Sequence, residues 1–285
     1  MRNKQFKREK GELIPWIQRR GAKLVLIGAC MIGFMVLLSI LSTVYTPYAP
    51  NETNLSDRLL PPFASGHLLG TDNLGRDILS RIMAGGKVSL SIATLAIVGT
   101  TIIGALFGLL AGYFGGVWDS VFNMAAEIQN SIPMMLLVII FLAVFGPSII
   151  TVAVVLAVAD WVAIFRTVRS RTLVEKKQDY ITACKAMGAS DARIIFKHLL
   201  PNTATTIIVM STLIIGTVII TEANLSYLGV GVERPNPSWG RMISDGQSFL
   251  ENAPWISICP AIGVIISVIG INLLGDGLRK MSKME

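Results

Sequence analysis

Few residues of this 285-residue chain could do chemistry, and their spacing argues against most kinds of it. The two histidines, His67 and His198, form no His-Glu-x-x-His zinc motif. Gly85-Gly86-Lys87-Val88 has neither the spacing nor the Ser or Thr of a phosphate loop. Asp160 and Asp276 invite the idea of an aspartic pair, but Asp276 falls past the end of its apolar run. Cys30, Cys184 and Cys259 fit no disulfide plan and read as packing residues. The informative groups are the acids in apolar surroundings: Glu127, Asp160 and Glu222. A charge at the centre of a membrane helix costs about 2.5–3.5 kcal/mol, so each needs a reason to be there. Asp160 precedes Trp161 and is either an interface anchor or a pore-facing group; Glu222 is a candidate for the pore or its gate. These acids form no mid-depth relay of the kind an ion-coupled carrier needs. We assign no catalytic residue and no metal site.

The elements that hold these residues are membrane helices. Of the chain, 52% is apolar and only 15% charged, against roughly a quarter charged in a soluble domain. The stretches 24–45 and 88–118 contain no charge at all. A soluble enzyme, a disordered chain and a secreted disulfide scaffold are excluded. Six segments can each supply the ~20 helical residues of a span: 24–44, 89–111, 126–145, 149–165, 203–224 and 254–275. Gly146-Pro147-Ser148 divides the third from the fourth as a tight turn. The fold class is all-α, a polytopic membrane protein. With six spans both termini share a side. Residues 1–23, the 112–125 and 166–202 loops and the tail carry 19 of the 25 basic residues. The positive-inside rule therefore makes that side cytoplasmic. The 45–88 loop, which holds Arg58, Arg76, Arg81 and Lys87, is external, as is 225–253 with Arg234 and Arg241. The first apolar run is longer than a signal-peptide h-region and has no small-x-small cleavage site, so it reads as a retained anchor. Net charge +7 does not point to nucleic acid, because the basic residues flank spans.

Gly104, Gly108 and Gly112 place a glycine stripe on one face of the second span, the pattern of close helix packing. Ahead of that span, Thr71 or Asp72 can cap an amphipathic external helix with Leu74, Ile78, Leu79 and Ile82 on its apolar side and Gly85-Gly86 as its stop. The 166–202 loop is more patterned still. Glu175 to Met187 predicts a helix, Gly188 a left-handed turn, and Ser190 the cap of a second helix stabilised by Asp191. Ile194, Ile195, Phe196 and Leu199 make that second helix apolar on one side, and Pro201 is expected to prevent its continuation. Such a helix–turn–helix outside the membrane is either a basic hairpin on anionic lipid or a knob for a groove on a soluble partner.

Residues 179–190 (Asp-Tyr-Ile-Thr-Ala-Cys-Lys-Ala-Met-Gly-Ala-Ser), followed by His198-Leu-Leu-Pro-Asn202, resemble the EAA coupling loop of membrane subunits of ATP-binding-cassette (ABC) importers. The match rests on Ala183, Gly188 and Pro201; Thr182 and Cys184 stand where the family usually has Glu and Ala. Residues 70–81, 222–229, 237–240 and 272–278 resemble the dipeptide/oligopeptide/nickel permeases, so the likeness runs from about residue 66 to 279. It implies a type I importer permease with 89–279 as its core, in the plasma (inner) membrane of a bacterium. It implies as partners a homologous second permease, two ABC ATPases that bind ATP and Mg, and an extracytoplasmic substrate-binding protein, with membrane lipid around the spans and no cofactor in this chain. The coupling residues it implies are Ala183, Gly188, Ser190, Leu200 and Pro201. The cargo it implies is a peptide; a nickel or metal-chelate importer, and a stand-alone secondary carrier, are the alternatives.

Overall fold

The computed structural model describes residues 2–233 and 235–282, with side chains from residue 21 onward. Arg234, Lys283 and the basic side chains before residue 21, which enter the orientation argument, lie outside the described residues. Among those described there are ten α-helices and no strand, only the isolated bridges Ala64–His67 and Thr71–Asp77. Five helical stretches are long and apolar enough to cross a membrane: 21–41, 78–114, 149–175, 191–227 and 255–282. The expected third span, 126–145, is bent: α3 (Gly116–Asn130) and α4 (Met134–Phe145) meet at 89°. The two are apolar enough to cross together, and counted as one broken span they bring the described spans to six. Pro133 accounts for the break, because it lacks the N–H that a continuing helix needs and its ring would strike the preceding turn. At 1.5 Å per residue α4 is about 18 Å long, short of a ~30 Å hydrocarbon core.

The residues group into two compact units, one up to Ser91 together with Ile215 onward, the other Ile92–Ile214. In the first unit α1 (Arg2–Leu41) packs along α10 (Trp255–Ser282) through glycines. A Cβ on Gly28 would lie 2.4 Å from the Gly270 carbonyl oxygen, and one on Gly277 2.7 Å from that of Gly21. Gly270 and Gly277, seven residues apart, thus let the two backbones touch, which membrane helices require because lipid offers no hydrophobic incentive to associate. Between α1 and α10 in sequence, α9 (Trp239–Gly246) starts at the capping hydroxyl of Ser238, which accepts the Arg241 N–H. Trp239 is fully buried, and its indole donates to the Ile82 carbonyl at 3.0 Å.

The expected amphipathic helix from residue 71 is absent. Residues 71–77 form a turn, and α2 begins at Ile78 and runs unbroken to Phe114. The reason lies in Asp72 and Asp77. Asp72 Oδ1 accepts the N–H groups of Leu74 and Arg76, which closes an Asx-type turn, and Asp77 Oδ2 accepts Ser80 N–H and so caps α2. Gly85-Gly86 does not stop the helix. A Cβ on Gly86 would lie 2.8 Å from the Trp239 ring, so this glycine makes room for the indole.

In the second unit, α2 lies against α5 (Ile149–Glu175) along the predicted glycine stripe. Cβ atoms on Gly104, Gly108 and Gly112 would come within 2.7, 2.8 and 2.6 Å of Ile164, Val168 and Thr172. The Gly146-Pro147-Ser148 turn is as expected. Gly146 (φ +78°) ends α4, and Ser148 caps α5 by accepting the Thr151 N–H.

Candidate functional site

The helix–turn–helix of the 166–202 loop is present, with shifted bounds. Glu175 ends α5, so the first helix is α6 (Asp179–Ala186). Gly188 then turns the chain at φ +79°, and Ser190 caps α7 (Asp191–Ile194) through the Arg193 N–H. Pro201 does not end the second helix. A π-turn over Ile195–Leu199, in which Leu200 N–H reaches back to the Ile195 carbonyl, joins α7 to α8 (Leu200–Tyr227). The widened turn accommodates the proline near the start of α8, where its missing donor costs least. Ala183 and Pro201 are exposed, as are Gly188 and Ser190, while Leu200 is half-buried.

Much of the apolar face that suggested an unpartnered knob is spent on the chain itself. Ile181, Ile194, Ile195 and Leu199 are buried in one cluster with Leu109, Tyr113, Ile164, Val168 and Ile207. What remains outward is a compact tip: Thr182, Ala183, Lys185, Ala186, Met187 (78% exposed) and, from the second helix, Phe196. Polar clamps that the sequence reading missed fix the tip to its base. Tyr113 donates to Asp191 Oδ1 at 2.5 Å, and Lys185 sits 4.8 Å from the centre of the Tyr113 ring. Tyr180 donates to Glu175 Oε2 (3.0 Å) and accepts from Asn202 (2.7 Å), which ties α6 to the ends of α5 and α8. Burial and the bond to Glu175 push the Tyr180 phenol above its ordinary pKa, so it stays a donor. Asp119 of α3 holds Arg169 of α5 in a two-pronged ion pair. The tip is thus tied to the C-terminal end of α2, the end of α5 and the start of α8.

The acids occupy different surroundings. Asp160 lies about 16 Å along α5 from Ile149, by helical rise. It lines a cavity of about 410 Å³ with Gln129, Asn130 and Ile132 at the α3–α4 break, and with Arg166. Asp160 Oδ2 is buried with no hydrogen-bond partner. Gln129 braces the wall, donating to the Ala159 carbonyl and accepting from the Trp161 indole at 2.5 Å. Trp161 is engaged with Gln129, while Asp160 faces the side cavity. Glu222 is 1% exposed and lines neither this cavity nor the outer one described below. Its carboxylate is bonded by Ser226 (2.8 Å) and Ser89, and Ser89 Oγ accepts the Trp239 N–H, so the group acts as an internal latch between α8, α2 and α9. Glu127 is exposed on α3, and Asp276 pairs with Arg279 at 2.9 Å.

Outside α2, the turn at 71–77 supports a charged cluster. Asp72 pairs with Arg76 (2.6 Å) and Arg81 (3.6 Å), and Asp245 with Arg76 (3.8 Å) and Arg241 (3.5 Å), around a cavity of about 340 Å³. Beside it His67 stacks on Tyr48 and bonds Asp77, which also holds Ser80. The aspartate is central there, not the histidine, so the order is not the Ser-His-Asp one of a hydrolase triad.

Comparison with known proteins agrees with this architecture. Residues 104–283 match the family described as the binding-protein-dependent transport system inner membrane component, and residues 16–62 match the N-terminal TM domain of oligopeptide transport permease C. The chain is similar to the dipeptide transport system permease protein DppC of Alkalihalophilus pseudofirmus, with 38% identity over 93% of this chain and 88% of the relative. It is similar to the oligopeptide transport system permease protein OppC of Bacillus subtilis, with 37% identity over 91% and 85%. The glutathione transport system permease protein GsiD of Pectobacterium atrosepticum is 37% identical over 95% and 92%. Among solved structures, a chain of the MetNI methionine ABC transporter in an inward-facing conformation superposes with a TM-score of 0.57 at 21% identity, covering 72% of this chain and 96% of the other. That match places the fold among the ABC importer permeases. With 180 of its residues matched by that family model and relatives of 37–38% identity along most of its length, the chain belongs to the binding-protein-dependent transport system inner membrane components.

Proposed function

We propose that the chain is the permease subunit of an ATP-driven peptide importer, forming half of a translocation path and receiving its motion through residues 179–201. The observation that carries this is the braced tip: an exposed surface around Met187 is bound by Tyr113–Asp191 and by Glu175–Tyr180–Asn202 to three long helices. A lipid-lying hairpin would present its apolar residues outward, whereas Ile181, Ile194 and Leu199 are fully buried here. Peptide cargo is supported by relatives named for dipeptide, oligopeptide and glutathione transport. Nucleotide binding and hydrolysis belong in this reading to two partner ATPases, and cargo delivery to a binding protein on the outer face. The chain itself catalyses no reaction. Its termini lie in the cytoplasm, on the side of the tip.

Reconstitution tests the reading. The chain with its second permease, ATPases and binding protein should take up dialanine into proteoliposomes only when ATP is supplied. Uptake by the chain alone, driven by an ion gradient, would establish the carrier alternative instead.

A further inference from the structure

The cavity at the α3–α4 break carries two opposite charges and an open helix end. Asp160 has a buried oxygen with no partner, and Arg166 makes no ion pair with a described residue. Met134, the first residue of α4, also lines it, and no side chain caps that helix, so its leading N–H groups add partial positive charge at the cavity. We propose that this cavity is a cargo subsite for the zwitterionic main chain of a short peptide, with Asp160 taking the α-ammonium and Arg166, aided by the α4 N-terminus, taking the carboxylate. The proposal rests on the importer reading.

Size and spacing fit that cargo. Six residues separate Asp160 from Arg166, about 9 Å along the helix. An extended dipeptide spans about 7 Å and a tripeptide about 10 Å, and flexible side chains take up the difference. The volume, about 410 Å³, falls within the usual range of small-ligand pockets. Recognition would read the charges common to all short peptides and leave the side chains unread. An ammonium would give Asp160 the partner it lacks, and an Arg fork matches a carboxylate in two parallel bonds. Gln129, held at both ends of its amide, keeps the wall in place and contributes no charge.

Two measurements on the complete reconstituted importer test this. Asp160→Asn should lower dialanine uptake at least about tenfold, while ATPase activity stimulated by the binding protein stays within about twofold; Asp160→Glu should retain part of the uptake. Unchanged uptake, or parallel loss of uptake and ATPase activity, overturns the subsite. Independently, with Cys30, Cys184 and Cys259 replaced by Ser, dialanine should slow alkylation of Ile132→Cys and N-acetyl-dialanine should not. Protection should vanish in the Asp160→Asn background. Equal effects of the two peptides, or none, overturn the subsite even where uptake runs normally. Protection by dialanine in a complex that shows no ATP-dependent uptake would leave the subsite standing and overturn the importer reading.

Discussion

Gly108→Val is expected to leave little folded protein in the membrane. A Cβ at Gly108 would sit 2.8 Å from Val168 Cβ, 2.9 Å from the Phe165 carbonyl oxygen and 3.0 Å from the Arg169 nitrogen. Two of these three are backbone atoms, so no side-chain rotation relieves the clash and α2 must move off α5. Overfilling a packed interface costs about 1–3 kcal/mol, and each 1.4 kcal/mol is about a tenfold change in an equilibrium. Separating these helices also disturbs the cluster of Leu109, Ile164 and Val168 that seats the helix–turn–helix. The yield of monodisperse detergent-solubilised protein should fall about tenfold, and its thermal unfolding should shift down. Gly33→Val is the control, since a Cβ there has nothing within 4 Å. Equal yields from the two variants would show that the stripe is not a packing seam.

Gly188→Val is expected to separate ATP turnover from uptake. Nothing lies within 4 Å of a Cβ at Gly188, so the effect is conformational and not a collision. The residue turns at φ +79°, where a left-handed backbone costs an L-residue about 1–2 kcal/mol and a β-branched one is an outlier. The turn should relax to negative φ and re-aim α6 against α7, while the core beneath, built on Ile181 and Ile194, still folds. Uptake by the reconstituted importer should fall about tenfold, the factor that 1.4 kcal/mol represents, with the subunit still present in the complex. Gly188→Asn should recover much of the uptake, because Asn tolerates the left-handed region. Failure of Asn to do better than Val would mean that the turn conformation is not what matters.

Legibility in the sequence varied with the range of the forces involved. The glycine stripe, the Gly146-Pro147-Ser148 turn, the Gly188 turn and the Ser190 cap were all readable, because each is a local requirement of the backbone. Asp72 misled: it is a good cap in isolation, but its side chain closes a turn, and it is Asp77 that caps α2 at Ile78, which one-residue propensity does not resolve. Gly85 and Gly86 looked like a stop, although a bulky partner 153 residues later, Trp239, is what they serve. Pro133 was the neglected signal in the third span; hydropathy averages across a proline as though the helix continued. Pro201 was overread in the opposite sense, since the π-turn before it was not visible in any periodicity. The seven-residue spacing of Gly270 and Gly277 on α10 was present in the sequence and was passed over. The clamps Tyr113–Asp191 and Tyr180–Asn202 join residues 78 and 22 positions apart, and only the fold brings them together. Asp160 was recognised as a costly charge; the cavity that gives it a purpose arises from the α3–α4 break.

The central claim is that the tip around Met187 is the surface on which an ATPase acts. A photo-crosslinking residue at Met187 in the assembled importer tests it most directly, with one at Ile181, buried beneath the same helix, as the reference. The account predicts an adduct with an ATP-binding subunit from position 187, changed in yield by ATP, and none from position 181. An adduct from position 187 with lipid alone, or equal adducts from both positions, would contradict it.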